Sequence, residues 1–217
     1  MDPFQPVVVT LFRYLHVLSG VLWIGLLYFF NLVNLPLLKI DLKKPFTVNM
    51  ADKASAHITA KTLFWFRWGA ASTLVWGLLL IEAQRRQYGT MRAYMLDNGP
   101  PGTFILLAVA LAIVMFVNVW FVIWPNQKVI LANNMKIAAA GTSDEEKKRL
   151  QDENAPRVKM AVMASRTNTW LSVPMLFGMV FGAHGGGDAT WTSYQMPLAF
   201  LAALLLVMVV YSRPKKV

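Results

Sequence analysis

The sequence predicts an all-α polytopic membrane protein, a single bundle of five transmembrane helices with its N-terminus outside and its C-terminus in the cytoplasm. Three observations lead there. Of the 217 residues 56% are apolar and only 15% charged, a balance far from that of soluble domains. Five apolar stretches approach the roughly 20 residues a helix needs to cross a hydrocarbon core about 30 Å thick. The lysines and arginines gather in alternate connections between these stretches, and that asymmetry sets membrane orientation.

The first helix is expected over about 7–35, an apolar run too long for a signal-peptide core and without a basic segment before it, so it reads as a retained helix. The second is expected over 63–83 and the third over 103–124. The third ends in the run NVWFVIWPNQK, Asn118 to Lys128, whose aromatics, proline and amides read as an exit from the bilayer. A cytoplasmic connection over 125–163 follows. In it, Ser143 and Glu146 stand at the cap and capping-box positions of a surface helix. A fourth helix over 164–184 and a fifth over 194–212 complete one membrane domain spanning 1–217.

Orientation follows from the basic residues. Lys39, Lys43, Lys44, Lys53 and Lys61 lie in the first connection, Lys128 to Arg166 supply the third, and Arg213, Lys215 and Lys216 end the chain. The opposite side holds only Arg85, Arg86 and Arg92. The net charge of +10 therefore reads as topology and attraction to anionic lipid, not nucleic-acid binding. The absence of cysteine excludes disulfides, thiolate metal sites and haem attached through C-x-x-C-H.

Of the three histidines, two fall in helices. His16 lies about 14 Å from the outer start of the first helix, and His184, at the end of the fourth, falls in the same outer half. Ionisable groups in a bilayer are costly and point to function, so His16 and His184 are the candidate axial ligands of a b-type haem. Gly20 and Trp23 share a face with His16 at i+4 and i+7, with glycine making room for a flat macrocycle. Arg13, one turn outward, is placed to meet haem propionates. The competing reading is packing: a membrane histidine also serves as an interhelical hydrogen-bond partner. His57, in the first cytoplasmic connection, reads as an exposed residue without a catalytic role.

A second polar set lies toward the cytoplasmic half: Asn31, Asn34, Arg67, Asn118, Asn126 and Gln127, with Asn168. These residues form a candidate pocket for a polar heterocycle or a quinone head, or alternatively interhelical glue. Arg67 lies among Trp65, Phe66 and Trp68, where cation–π contact and snorkelling also account for it. Gly178 and Gly182 form a G-x-x-x-G step that predicts close helix packing.

The NVWFVIWPNQK run, together with LHVLSGVLWIG (15–25), WFRWGAAST (65–73) and TNTWLSVPMLFGMVFGAHG (167–185), resembles the membrane domain of the bacterial urate oxidases, the PuuD-type urate hydroxylases. The resemblance is to a short form without the c-type cytochrome domain of the full-length members. In that family the domain is associated with urate oxidation that passes electrons to a cytochrome c. His16, Trp23, Trp65, Trp68, Asn118, Pro125, Asn126, Gln127, Pro174 and His184 occupy the family's recurring positions.

The sequence thus leads to a redox component of the bacterial inner membrane that holds b-type haem and exchanges electrons with a quinone or cytochrome c. Two alternatives stand beside it: a non-catalytic membrane subunit of a larger respiratory or photosynthetic complex, and a urate or purine oxidase.

Overall fold

The computed structural model describes residues 5–35, 56–97, 99–139 and 141–184, with Leu201 and Leu205. Every regular element among them is helical. Helix α1 (Gln5–Tyr28) continues as a π-helical turn, π1 (Phe29–Asn34); α2 runs Ala56–Tyr88, α3 Met91–Met95 and α4 Gly99–Val117. A second π-helical turn, π2 (Asn118–Ile123), leads into α5 (Trp124–Ile137), and α6 spans Asp144–His184. Three of these stretches, Gln5–Asn34, Thr59–Tyr88 and Gly99–Ile137, are long and apolar enough to cross a membrane. Apart from Leu201 and Leu205 the expected fifth helix lies outside the described residues, as do the C-terminal basic residues and positions 36–55 of the first connection, whose remainder with His57 and Lys61 belongs to α2.

The third apolar helix does not end at Pro125 as the sequence suggests. Proline lacks an amide donor, and its ring excludes the carbonyl four residues back, which normally breaks a helix. Here the preceding turn widens instead: Trp124 N–H donates to Val119 O, five residues back, and α5 carries on to Ile137. Asn126 Nδ2 covers the Val122 carbonyl at 2.8 Å. The same device ends α1. Leu35 N–H donates to Phe30 O and Asn31 Nδ2 donates to Leu27 O at 2.9 Å, with Pro36 next in sequence. At π2 the proline two residues beyond the turn accounts for its extra residue, and π1 has a proline at the same spacing in the sequence.

The connection expected over 125–163 is helical, formed by α5 and the N-terminal part of α6, which pair as a hairpin. Helices α5 and α6 are separated by a short turn containing Gly141, whose φ of 89° suits only glycine. Ser143 Oγ accepts from Glu146 N–H at 3.2 Å, the cap the sequence predicts. The Glu146 carboxylate turns to Arg149 at 2.6 Å, which holds its carboxyl below the usual range. Inside the hairpin, buried Asn154 accepts from Asn133 Nδ2 at 3.0 Å and donates to Asn134 Oδ1 at 3.1 Å. Leu150, Ile130 and Ala161 are buried with them. The fourth expected crossing is the C-terminal part of α6, so 164–184 and the connecting segment before it form one continuous helix.

Contacts divide the chain into two units, residues 1–13, 77–115 and 170–217 in the first and 14–76 and 116–169 in the second. In the first unit α4 packs on α6 through small residues. A Cβ on Gly178 would stand 2.8 Å from Phe104 O and 2.9 Å from Ala108 Cβ, and one on Gly182 would meet the Ile105 side chain and Pro101 O. The Phe104 ring lies 5.0 Å from that of Phe181 and 5.8 Å from that of Phe177. The G-x-x-x-G step is thus a packing surface, as its spacing suggests. Gln5 Nε2 donates to Ala83 O at 3.3 Å, tying the start of α1 to the end of α2.

In the second unit α1 crosses α2 at Gly69, where a Cβ would lie 3.3 Å from Trp23 N. Trp23, Leu27 and Phe66 are almost completely buried there, and Phe30 meets Phe66 edge to face at 5.7 Å. Outward-facing apolar side chains are large and numerous: Val21 is 67% exposed and Phe121 72%. An exterior of that kind suits a hydrocarbon solvent, in which small-residue contacts and buried amides, not apolar burial, hold helices together.

Candidate functional site

The second unit collects most of the polar residues that the sequence singles out. Helix α1 carries His16 four turns before Asn31 and places its Nδ1 2.8 Å from Thr73 O on α2. A carbonyl oxygen only accepts, so Nδ1 carries the ring proton and Nε2 keeps its lone pair. This is how an imidazole is oriented as a metal ligand, with the far nitrogen held by a carbonyl and the near one left basic. Thr73 is fixed in turn, its Oγ1 donating to Gly69 O at 2.7 Å.

The residues read together with His16 are placed as follows. Gly20 leaves no open slot on the α2 side, because a Cβ there would already touch Thr73 Cγ2 at 3.8 Å. Its missing side chain serves helix approach. Arg13 is exposed and belongs to the first unit. His184 is the last residue of α6, also in the first unit; its side chain, like that of His57, lies outside the described residues. Among the described residues no group of three His, Cys, Asp or Glu side chains is placed to hold a metal ion.

The asparagine set is partly assembled. Asn31 is buried in π1 and donates to Ser165 Oγ at 2.7 Å. Asn118, the first residue of π2, donates to the completely buried Asn168 at 2.9 Å. Asn126 is occupied with its own helix, and Asn34 and Gln127 are half-buried. Arg67 does not stack on its sequence neighbours Trp65, Phe66 and Trp68. Its guanidinium lies 3.7 Å from the centre of the Trp124 ring, 5.3 Å from Trp120 and 5.9 Å from Phe64. Trp68 in turn meets Trp120 edge to face at 5.7 Å.

Among the described residues four buried polar atoms have no protein partner: Trp23 Nε1, Asn31 Oδ1, Arg67 Nε and Trp120 Nε1. All four belong to the second unit. A bilayer offers no water to such groups, and each unsatisfied one is costly. Three donors and one acceptor are thus left unpaired in the unit that contains both π turns, and π turns are frequent at functional sites.

Sequence reasoning missed Thr73, Ser165 and the contribution of Trp120 and Trp124. Thr73 and Ser165 are small hydroxyl residues on apolar helices, the one available signal. The tryptophans read as interface anchors because nothing in their spacing reveals which cation comes to rest on them.

No family model matches the chain, and no curated protein or solved structure does either.

Proposed function

We propose that this chain is an integral protein of the bacterial cytoplasmic membrane whose second unit supports electron transfer, with His16 as an axial ligand to a b-type haem and a quinone or cytochrome c as the exchange partner. The observation that carries this is the bond from His16 Nδ1 to Thr73 O, which fixes the tautomer and leaves Nε2 basic in an apolar setting. When bound, such a haem supplies a one-electron ferric/ferrous couple, with a potential set by axial ligand and burial. The chain itself holds the half-buried imidazole through Thr73 O and keeps its proton on Nδ1. The resemblance to the membrane domains of urate oxidases supports a redox setting.

The test is spectroscopic. Protein purified in detergent from carbonate-washed membranes is expected to show a Soret band, and His16→Ala is expected to lose it. His16→Ala that keeps the full Soret band removes the role from this residue. A wild-type protein that shows no such band even after haem supplementation leaves the chain as a structural subunit of a larger membrane complex.

Orientation is testable because the chain contains no cysteine. In intact cells an impermeant maleimide is expected to label Arg92→Cys and not Lys148→Cys, as the basic-residue asymmetry requires. Equal labelling at both positions, or labelling of Lys148→Cys alone, contradicts the N-outside arrangement.

A further inference from the structure

We infer that Arg67 and Trp120 form a binding site for the phosphate of an anionic phospholipid. This rests on the membrane placement proposed above and is independent of haem.

Arg67 is a permanent cation within the membrane-length stretch Thr59–Tyr88, and among the described residues no carboxylate pairs with it. Its guanidinium is held against Trp124 and Trp120 by cation–π contact, which orients the group without neutralising it. Its Nε–H and the indole N–H of Trp120 are both buried and without a partner. An uncompensated charge and unpartnered N–H groups on Arg67 and on a ring that it contacts call for an oxyanion, and arginine is suited to phosphate in particular.

The surroundings identify the source of that oxyanion. Phe64 (46% exposed), Trp65 (57%) and Trp68 (47%) flank Arg67 on α2, and Phe121 (72%) follows Trp120. An acyl chain lies naturally along such a surface, whereas free phosphate has no use for it. Lys61 and Lys128 are exposed on the same two helical stretches. Lys128 is one turn from Trp124, so the basic side of the chain, where anionic lipid concentrates, adjoins the site. The uncompensated charge of Arg67 selects an anionic headgroup over a zwitterionic one.

The experiment compares thermal unfolding of the purified protein in detergent with added phosphatidylglycerol, phosphatidylcholine or inorganic phosphate. Phosphatidylglycerol is expected to raise the midpoint saturably, by about 5 °C, with phosphatidylcholine giving less than half of that and phosphate nothing. Trp120→Phe keeps an aromatic ring for the cation and deletes only the donor, and it is expected to reduce the phosphatidylglycerol shift at least twofold. Arg67→Gln is expected to abolish it; if that variant does not fold, Trp120→Phe decides. Equal shifts from both lipids, an unchanged shift in Trp120→Phe, or an equal shift from inorganic phosphate each overturns the lipid site. Retention in carbonate-washed membranes without a lipid preference leaves the membrane placement standing and removes only this inference. Loss from the washed membranes removes both.

Discussion

Gly178→Ala is expected to lower the stability of the detergent-solubilised protein by about 3 kcal/mol, the upper part of the usual range for overpacking. The added methyl group would stand 2.8 Å from the Phe104 carbonyl oxygen and 2.9 Å from Ala108 Cβ. Neither can rotate away, since one is backbone and the other is the first atom of a side chain with no torsion to adjust. The helices must separate, and the Phe104 contacts with Phe177 and Phe181 separate with them. Gly25→Ala is the control: a Cβ there meets nothing within 4 Å, so the change is expected to be neutral or to add about 0.5–1 kcal/mol through helix propensity. Thermal or denaturant unfolding measured side by side distinguishes the two, and equal stabilities for both variants would contradict the packing described for α4 and α6.

The second large effect is expected at Asn168. It is completely buried and accepts the Asn118 amide at 2.9 Å, so Asn168→Leu strips the half-buried Asn118 donor of its acceptor at a cost of about 1–3 kcal/mol. Asn118→Leu removes the donor instead, and the double variant removes both. If the pair serves packing, the double variant is less destabilised than the sum of the singles, with a coupling of about 0.6–1.7 kcal/mol, the range found for hydrogen bonds between membrane helices. Strictly additive losses would mean the bond contributes nothing. Saturable urate binding that Asn118→Leu eliminates with the fold intact would give the amide a substrate role and revive the purine-oxidase reading.

Much of this architecture was legible because membrane-length helices announce themselves. With no competing solvent for the backbone, apolar length alone predicts Gln5–Asn34, Thr59–Tyr88 and the first part of Gly99–Ile137. The cap at Ser143 was legible for a local reason, since the hydroxyl and the amide it receives lie three residues apart. The packing role of Gly178 and Gly182 was legible from their four-residue spacing. Pro125 misled for an equally local reason. Proline normally stops a helix, but a π turn relieves its clash, and propensity does not report that escape.

By itself, the sequence determined what composition and short-range spacing control: an all-helical chain with membrane-length apolar stretches, and a short list of polar residues too costly to be incidental. Only the tertiary structure decided what each of those residues does, because their partners are far away along the chain. His16 found a carbonyl 57 residues on, Asn31 a hydroxyl 134 residues on, and Arg67 two tryptophans on another helix instead of those beside it. Helical periodicity says which face a side chain occupies; it carries no information about which helix comes to lie against that face. That pairing arises from close approach at small residues such as Gly69 and from the need of each buried polar group for a partner, and both are properties of the assembled helices.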